Sequence, residues 1–113
     1  MANLNEFFVH HEDVRRANGQ GSRSLTPAMD VALWRNVRRG GRYLSRRLAC
    51  GLEIQWAGTN ERVRVRSGEP TALLSGLPGE LLLYFFGRQS SAQVEVSGPV
   101  EAVATVQGAH FGM

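Results

Sequence analysis

The chain has 113 residues with an ordinary apolar share of 42 %, enough for one domain around one core and too few for two. Thirteen arginines and no lysine stand against ten acidic residues, for a net charge of +3; arginine without lysine is what a GC-rich genome writes, so this charge argues only weakly for a nucleic-acid partner, and that partner is disfavoured. The longest apolar run, Leu81 to Phe86, is far too short to cross a bilayer, Cys50 has no second cysteine to pair with, and Asn3, Asn5 and Glu6 stand where a secretory signal needs a basic and apolar start, so a soluble protein of a reducing cytoplasm is expected.

In chain order, Leu4, Phe7, Phe8, His11 and Val14 recur at helical spacing, which predicts a helix over residues 3–17 stopped by Asn18-Gly19. Residues 18–24 are rich in Gly, Ser and Asn and read as a loop. Thr26 as N-cap, Pro27 at the first helical position and Asp30 in the first turn open a second helix, with Val31, Trp34, Val37, Leu44 and Leu48 as its buried stripe. Gly40-Gly41 in its middle weakens it by about 1 kcal/mol per glycine and suggests a kink or two shorter helices there. From Gly51 the period becomes two: Leu52, Ile54 and Trp56 on one face, Glu53 and Gln55 on the other. A turn at Gly58-Thr59 leads into Arg62–Arg66, in a register that pairs Ile54 with Val63, Leu52 with Val65 and Glu53 with Arg64. A third strand over Thr71–Ser75, a buried helix from Pro78 to Gly87, a fourth strand over Ala92–Val96 and a last helix from Pro99 complete the order ααβββαβα. The expected fold class is α+β, a small, mainly antiparallel sheet with helices on one face.

Glu6 and His10, four residues apart, lie one above the other on the first helix, and a carboxylate with an imidazole suits zinc or a similar divalent ion. On spacing alone the ordinary reading is a solvated helix face. Asp13, one turn on, is either an acceptor that orients His10 or a plain surface acid. His11, beside Phe7 and Phe8, reads as a packed histidine, His110 as part of a loose tail, and Cys50 as a small buried residue. Arg35 to Arg47 on the second helix and Arg62, Arg64 and Arg66 on the hairpin read as solvated faces. Arg88 follows Gly87 at the end of the apolar helix, where it serves as a helix cap or binds a carboxylate with its planar fork.

The stretch from Asn5 to Ala17, with Glu-x-x-x-His-x-x-Asp-hydrophobic-Arg falling on Glu6, His10, Asp13 and Arg15, resembles the last bundle helix of the DinB-like, mycothiol-dependent maleylpyruvate isomerase family of actinobacteria. Ala32-Leu33-Trp34-Arg35, the run Gly79 to Arg88 and the helix opening at Gly98-Pro99 resemble that family's C-terminal domain, which is similar in fold to sterol carrier proteins. The resemblance implies residues 1–18 as one helix of a four-helix metal-binding bundle, 19–26 as a linker and 27–113 as the α+β domain. It also implies Glu6 and His10 as metal ligands, Asp13 beside them, Arg88 as a substrate contact, and a divalent metal, zinc by chemistry, with mycothiol as cofactors. The family's third ligand, a histidine of an earlier helix, has no counterpart here. The expected function is therefore the C-terminal portion of a metal- and thiol-dependent isomerase or transferase, inactive alone and acting with a small-molecule substrate or thiol. Leu4, Phe7 and Phe8 are the expected contact with a second copy or with the missing half. The alternative is a non-enzymatic ligand-binding or interaction module with a lipid-carrier-like core.

Overall fold

The computed structural model describes residues 4–21 and 24–111; Asn3 of the expected first helix, Ser22 and Arg23 of the linker and the last two residues lie outside the described residues. The elements are α1 (Leu4–Ala17), α2 (Pro27–Leu44), β1 (Gly51–Trp56), β2 (Arg62–Arg66), β3 (Thr71–Gly76), α3 (Pro78–Phe85), β4 (Glu95–Ser97) and α4 (Val100–Gly108). The class is α+β, as the sequence periods predict, but the sheet is mixed. Its order is β2-β1-β3-β4, and the central β1·β3 pair is parallel between two antiparallel pairs. The connection from β2 to β3 carries the chain across the start of β1. It fits because a side chain on Gly51 would overlap the Gly68 carbonyl oxygen.

Leu52, Ile54, Val65, Ala72 and Leu74 point inward from the sheet and share one core with Leu33, Trp34 and Val37 of α2, all of α3, and Ala102 and Val106 of α4. The hairpin register holds at Ile54↔Val63 and Glu53↔Arg64, but Leu52 sits opposite Arg66, not Val65, because a bulge between Leu52 and Glu53 inserts one residue. The bulge lets both Leu52 and Val65 stay buried. On the other face Glu53 meets Arg62 at 3.5 Å and Arg64 at 3.3 Å.

α2 starts as its capping signals dictate: the Thr26 hydroxyl accepts from the Met29 N–H at 3.2 Å, and Pro27 follows. The helix is not split in two at Gly40-Gly41 but runs unbroken from Pro27 to Leu44, and the bare Gly41 backbone packs against Val65 and Phe85, where a Cβ would lie 3.3 and 3.4 Å from their atoms. Val31, expected inside, is 47 % exposed, and the helix ends at Leu44, four residues before Leu48, where Ser45 folds back on the Gly41 carbonyl. β4 is shorter and later than expected for a hydrogen-bonding reason. The Ser91 and Ala92 N–H groups are held by the Arg88 carbonyl and that of Gln93 by the Glu80 carboxylate, so none is left for the ladder.

The first helix departs most from its sequence reading. Its buried residues are Phe8, Val9 and Glu12, while Phe7 and Val14 are 72 % and 55 % exposed and His11 is exposed, so the expected Leu4-Phe7-Phe8-His11-Val14 stripe is turned partly to solvent. Phe8 packs on the first turn of α3, where a Cβ on Gly79 would lie 2.7 Å from its ring. Asn36 of α2 donates to the Asn5 side chain at 2.8 Å, a second tether on the same helix.

Two glycine replacements should separate helix propensity from packing. Nothing lies within 4 Å of a Cβ at Gly40, so Gly40→Ala should stabilise by about 0.5–1 kcal/mol, whereas Gly79→Ala should destabilise by about 1–3 kcal/mol by overpacking against Phe8. Urea unfolding of both variants reads the two signs directly.

Candidate functional site

Arg88 owes its place to the way α3 ends. Phe86 is the C-cap and Gly87, at φ +85°, occupies the left-handed position that a side chain resists; the Arg88 N–H then bonds the Leu83 carbonyl at 2.9 Å and the Gly87 N–H that of Tyr84 at 3.2 Å. The reversal turns Arg88 back across α1. Its guanidinium donates to both oxygens of Asp13, at 3.1 and 2.7 Å, and to the Phe86 carbonyl at 2.6 Å. The bidentate bond to Arg88 is the largest influence holding the Asp13 carboxyl below its ordinary range, and the nearby charges of Arg88 and His10 act in the same direction against the opposing effect of partial burial.

Glu6, Val9, His10, Asp13, Phe86 and Arg88 line one open cleft of about 360 Å³, at the lower end of the range for small-molecule sites. The four polar residues expected at the site from the sequence, Glu6, His10, Asp13 and Arg88, are thus brought together, three by a single face of α1 and the fourth by the turn after α3. What differs is the partner of Asp13. Both of its oxygens bond Arg88, so it anchors the arginine and does not serve as an acceptor dedicated to His10.

A divalent ion finds donors of the right chemistry in Glu6 and His10, both exposed on the cleft side of α1. It does not find a full set. Among the described residues no group of three or more His, Cys, Asp or Glu side chains is close enough to hold a metal. No family model, no curated protein and no solved structure matches this chain. The physical reading of the cleft therefore rests on these residues alone.

The sequence reading missed the residues that hold the cleft together. Glu12 is fully buried and Glu80, on α3, is 5 % exposed. Arg16 bridges them: it donates to Glu12 at 3.1 Å and, through both terminal nitrogens, to Glu80 at 2.9 and 2.7 Å, and it reaches the Ser91 carbonyl at 2.7 Å. Arg15 adds a second cation on Glu12 at 2.9 Å and reaches the Gly21 carbonyl. The one sequence signal for this cluster was the Glu-x-x-Arg-Arg spacing on α1, which places both guanidinium groups within a turn of Glu12. Cys50 is buried as expected, its thiol 3.9 Å from the Ala102 carbonyl, and burial pushes its pKa up, away from nucleophilic use. His110 is exposed.

Because the folded-state pKa of Asp13 lies below its unfolded value, the stabilisation it brings is present above the unfolded pKa, near 3.8, and is lost as pH falls through the lower folded value. In Arg88→Ala the Asp13 carboxyl should titrate closer to the ordinary carboxylate range, as followed by NMR of its side-chain carbon. An unchanged titration in that variant would show that Arg88 is not what holds it down.

Proposed function

We propose that this chain supplies part of a divalent-metal site and a substrate-anchoring arginine to a metal- and thiol-dependent isomerase or transferase of the mycothiol-using type, and that it is inactive by itself. The observation that carries the reading is the convergence of Glu6, His10 and Arg88 on one cleft. In it Glu6 and His10 are two protein ligands of a zinc-like ion, and the remaining ligands come from outside the described residues. A bound ion would supply Lewis acidity to polarise a substrate oxygen or to hold a thiol as thiolate. The chain's own part is to orient. Arg88, locked by Gly87 and Asp13, offers a planar fork to a substrate carboxylate, and that carboxylate has to take the place Asp13 now fills. The α+β order with a wholly buried α3 supports a sterol-carrier-like core for this domain.

One observation favours a second reading, a non-enzymatic interaction module. Phe7 and Val14 lie outward on the same face of α1 as His10 and His11, an apolar surface to which a second copy or another chain can bind. Phe8, expected to belong to that surface, is buried in the core and takes no part.

Zinc titration calorimetry on the purified chain separates the readings. The metal-site reading expects weak binding that falls at least about tenfold, 1.4 kcal/mol, in either Glu6→Ala or His10→Ala and is unchanged in Arg88→Ala. Equal zinc affinity of wild type and His10→Ala would remove the metal reading and leave the interaction module.

A further inference from the structure

The outward face of α2 carries Arg35, Arg38, Arg39 and Arg42, at positions i, i+3, i+4 and i+7, all exposed and together lining a shallow hollow of their own. The other described arginines are nearly all engaged. Arg15 and Arg16 bind Glu12 and Glu80, Arg62 and Arg64 bind Glu53, Arg66 donates to the Leu48 carbonyl, and Arg88 binds Asp13. By contrast, Arg35, Arg38, Arg39 and Arg42 make no ion pair or hydrogen bond among the described residues. Like charges four apart on a helix, here Arg35–Arg39 and Arg38–Arg42, repel by a few tenths of a kcal/mol each. Only Arg42, in the last turn of α2, has the helix dipole in its favour. Codon usage explains why these residues are arginine and not lysine, but not why four of them stand on one face with no carboxylate at ion-pair distance among the described residues.

We infer that this stripe is a sequence-independent binding surface for the phosphodiester backbone of a nucleic acid, single-stranded in preference to duplex. The stripe spans roughly 10 Å along the helix axis, enough for three or four phosphate contacts from guanidinium forks. At its C-terminal end Tyr43 is 54 % exposed, with Arg46 stacked over one face of its ring at 3.9 Å, so the ring is held by the cation and its other face can stack a base. A membrane surface fits less well. The apolar face of α2, Leu33, Trp34, Val37 and Gly41, is spent on the core, and the exposed Val31 and Tyr43 at the two ends of the stripe are too few to make an apolar row that enters a lipid interface.

Fluorescence anisotropy with a labelled single-stranded DNA of about 20 nucleotides tests the inference. The expected result is binding at low salt whose logarithm falls with log salt at a slope of about −2 to −3, three or four phosphates at ~0.7 each. Arg38→Ala/Arg42→Ala should lose at least about tenfold, while Arg62→Ala/Arg64→Ala, which removes the same charge from the hairpin, should lose no more than about twofold. Tyr43→Ala should narrow the preference for single strand over duplex. Three results would overturn the inference: no binding at low salt, equal losses in the two double variants, or retention only by phosphatidylglycerol vesicles. Circular dichroism on each variant distinguishes lost binding from lost fold.

Discussion

Arg16 sits between two carboxylates that have almost no access to water, and the placement of the first helix follows from that contact. Glu12 and Glu80 would each be very costly to bury as lone anions; with Arg16 bonded to both, and Arg15 to Glu12, neither is a lone anion. Its effect is geometric as much as energetic. Turning Glu12 inward fixes the rotation of α1, since residues four and three before it, Phe8 and Val9, must face inward with it. Glu6 and His10 are then on the cleft side, Asp13 is at the border where Arg88 can reach it, and Phe7 and Val14 are left outside. Glu80 also ties the segment before β4 to the same cluster, for its Oε1 takes the Gln93 N–H and so sets where β4 can begin.

The cleft thus depends on two unlike devices. One is the buried ion cluster, which tolerates little change because Arg16 serves two buried carboxylates at once. The other is the glycine-ended helix α3, whose backbone reversal at Gly87 turns Arg88 toward α1. Arg88 and Asp13 remain partly open to solvent, at 40 % and 37 %, so their contact is a positioning device that ligands and salt can compete with.

Much of the fold was legible because its signals are local. The period change at Gly51, the Thr26-Pro27 cap, the Pro78 and Gly87 punctuation of α3 and the order of all eight elements follow from neighbours within a few residues. What was illegible was set at long range. The phase of α1 was read from its apolar residues alone, with no role given to Glu12; the partner that draws it in, by way of Arg16, is Glu80, 64 residues from Arg16. The parallel pairing of β1 with β3 depends on a crossing at Gly51 and Gly68 that no alternation pattern encodes. At the candidate site the sequence named Glu6, His10, Asp13 and Arg88, and the structure brings them together. It could not show that Asp13 serves Arg88, nor which arginines of α2 lack carboxylate partners.

The central claim is that Arg16 docks α1 onto α3 and thereby builds the cleft. Native-state hydrogen exchange on the wild type and on Arg16→Met tests it most directly. The account predicts that the α1 amides from Val9 to Asp13 are protected in the wild type and lose protection by at least about a hundredfold in the variant, close to 3 kcal/mol. β1 and β3 should keep most of theirs. Unprotected α1 amides in the wild type, or the same protection in both proteins, would contradict it.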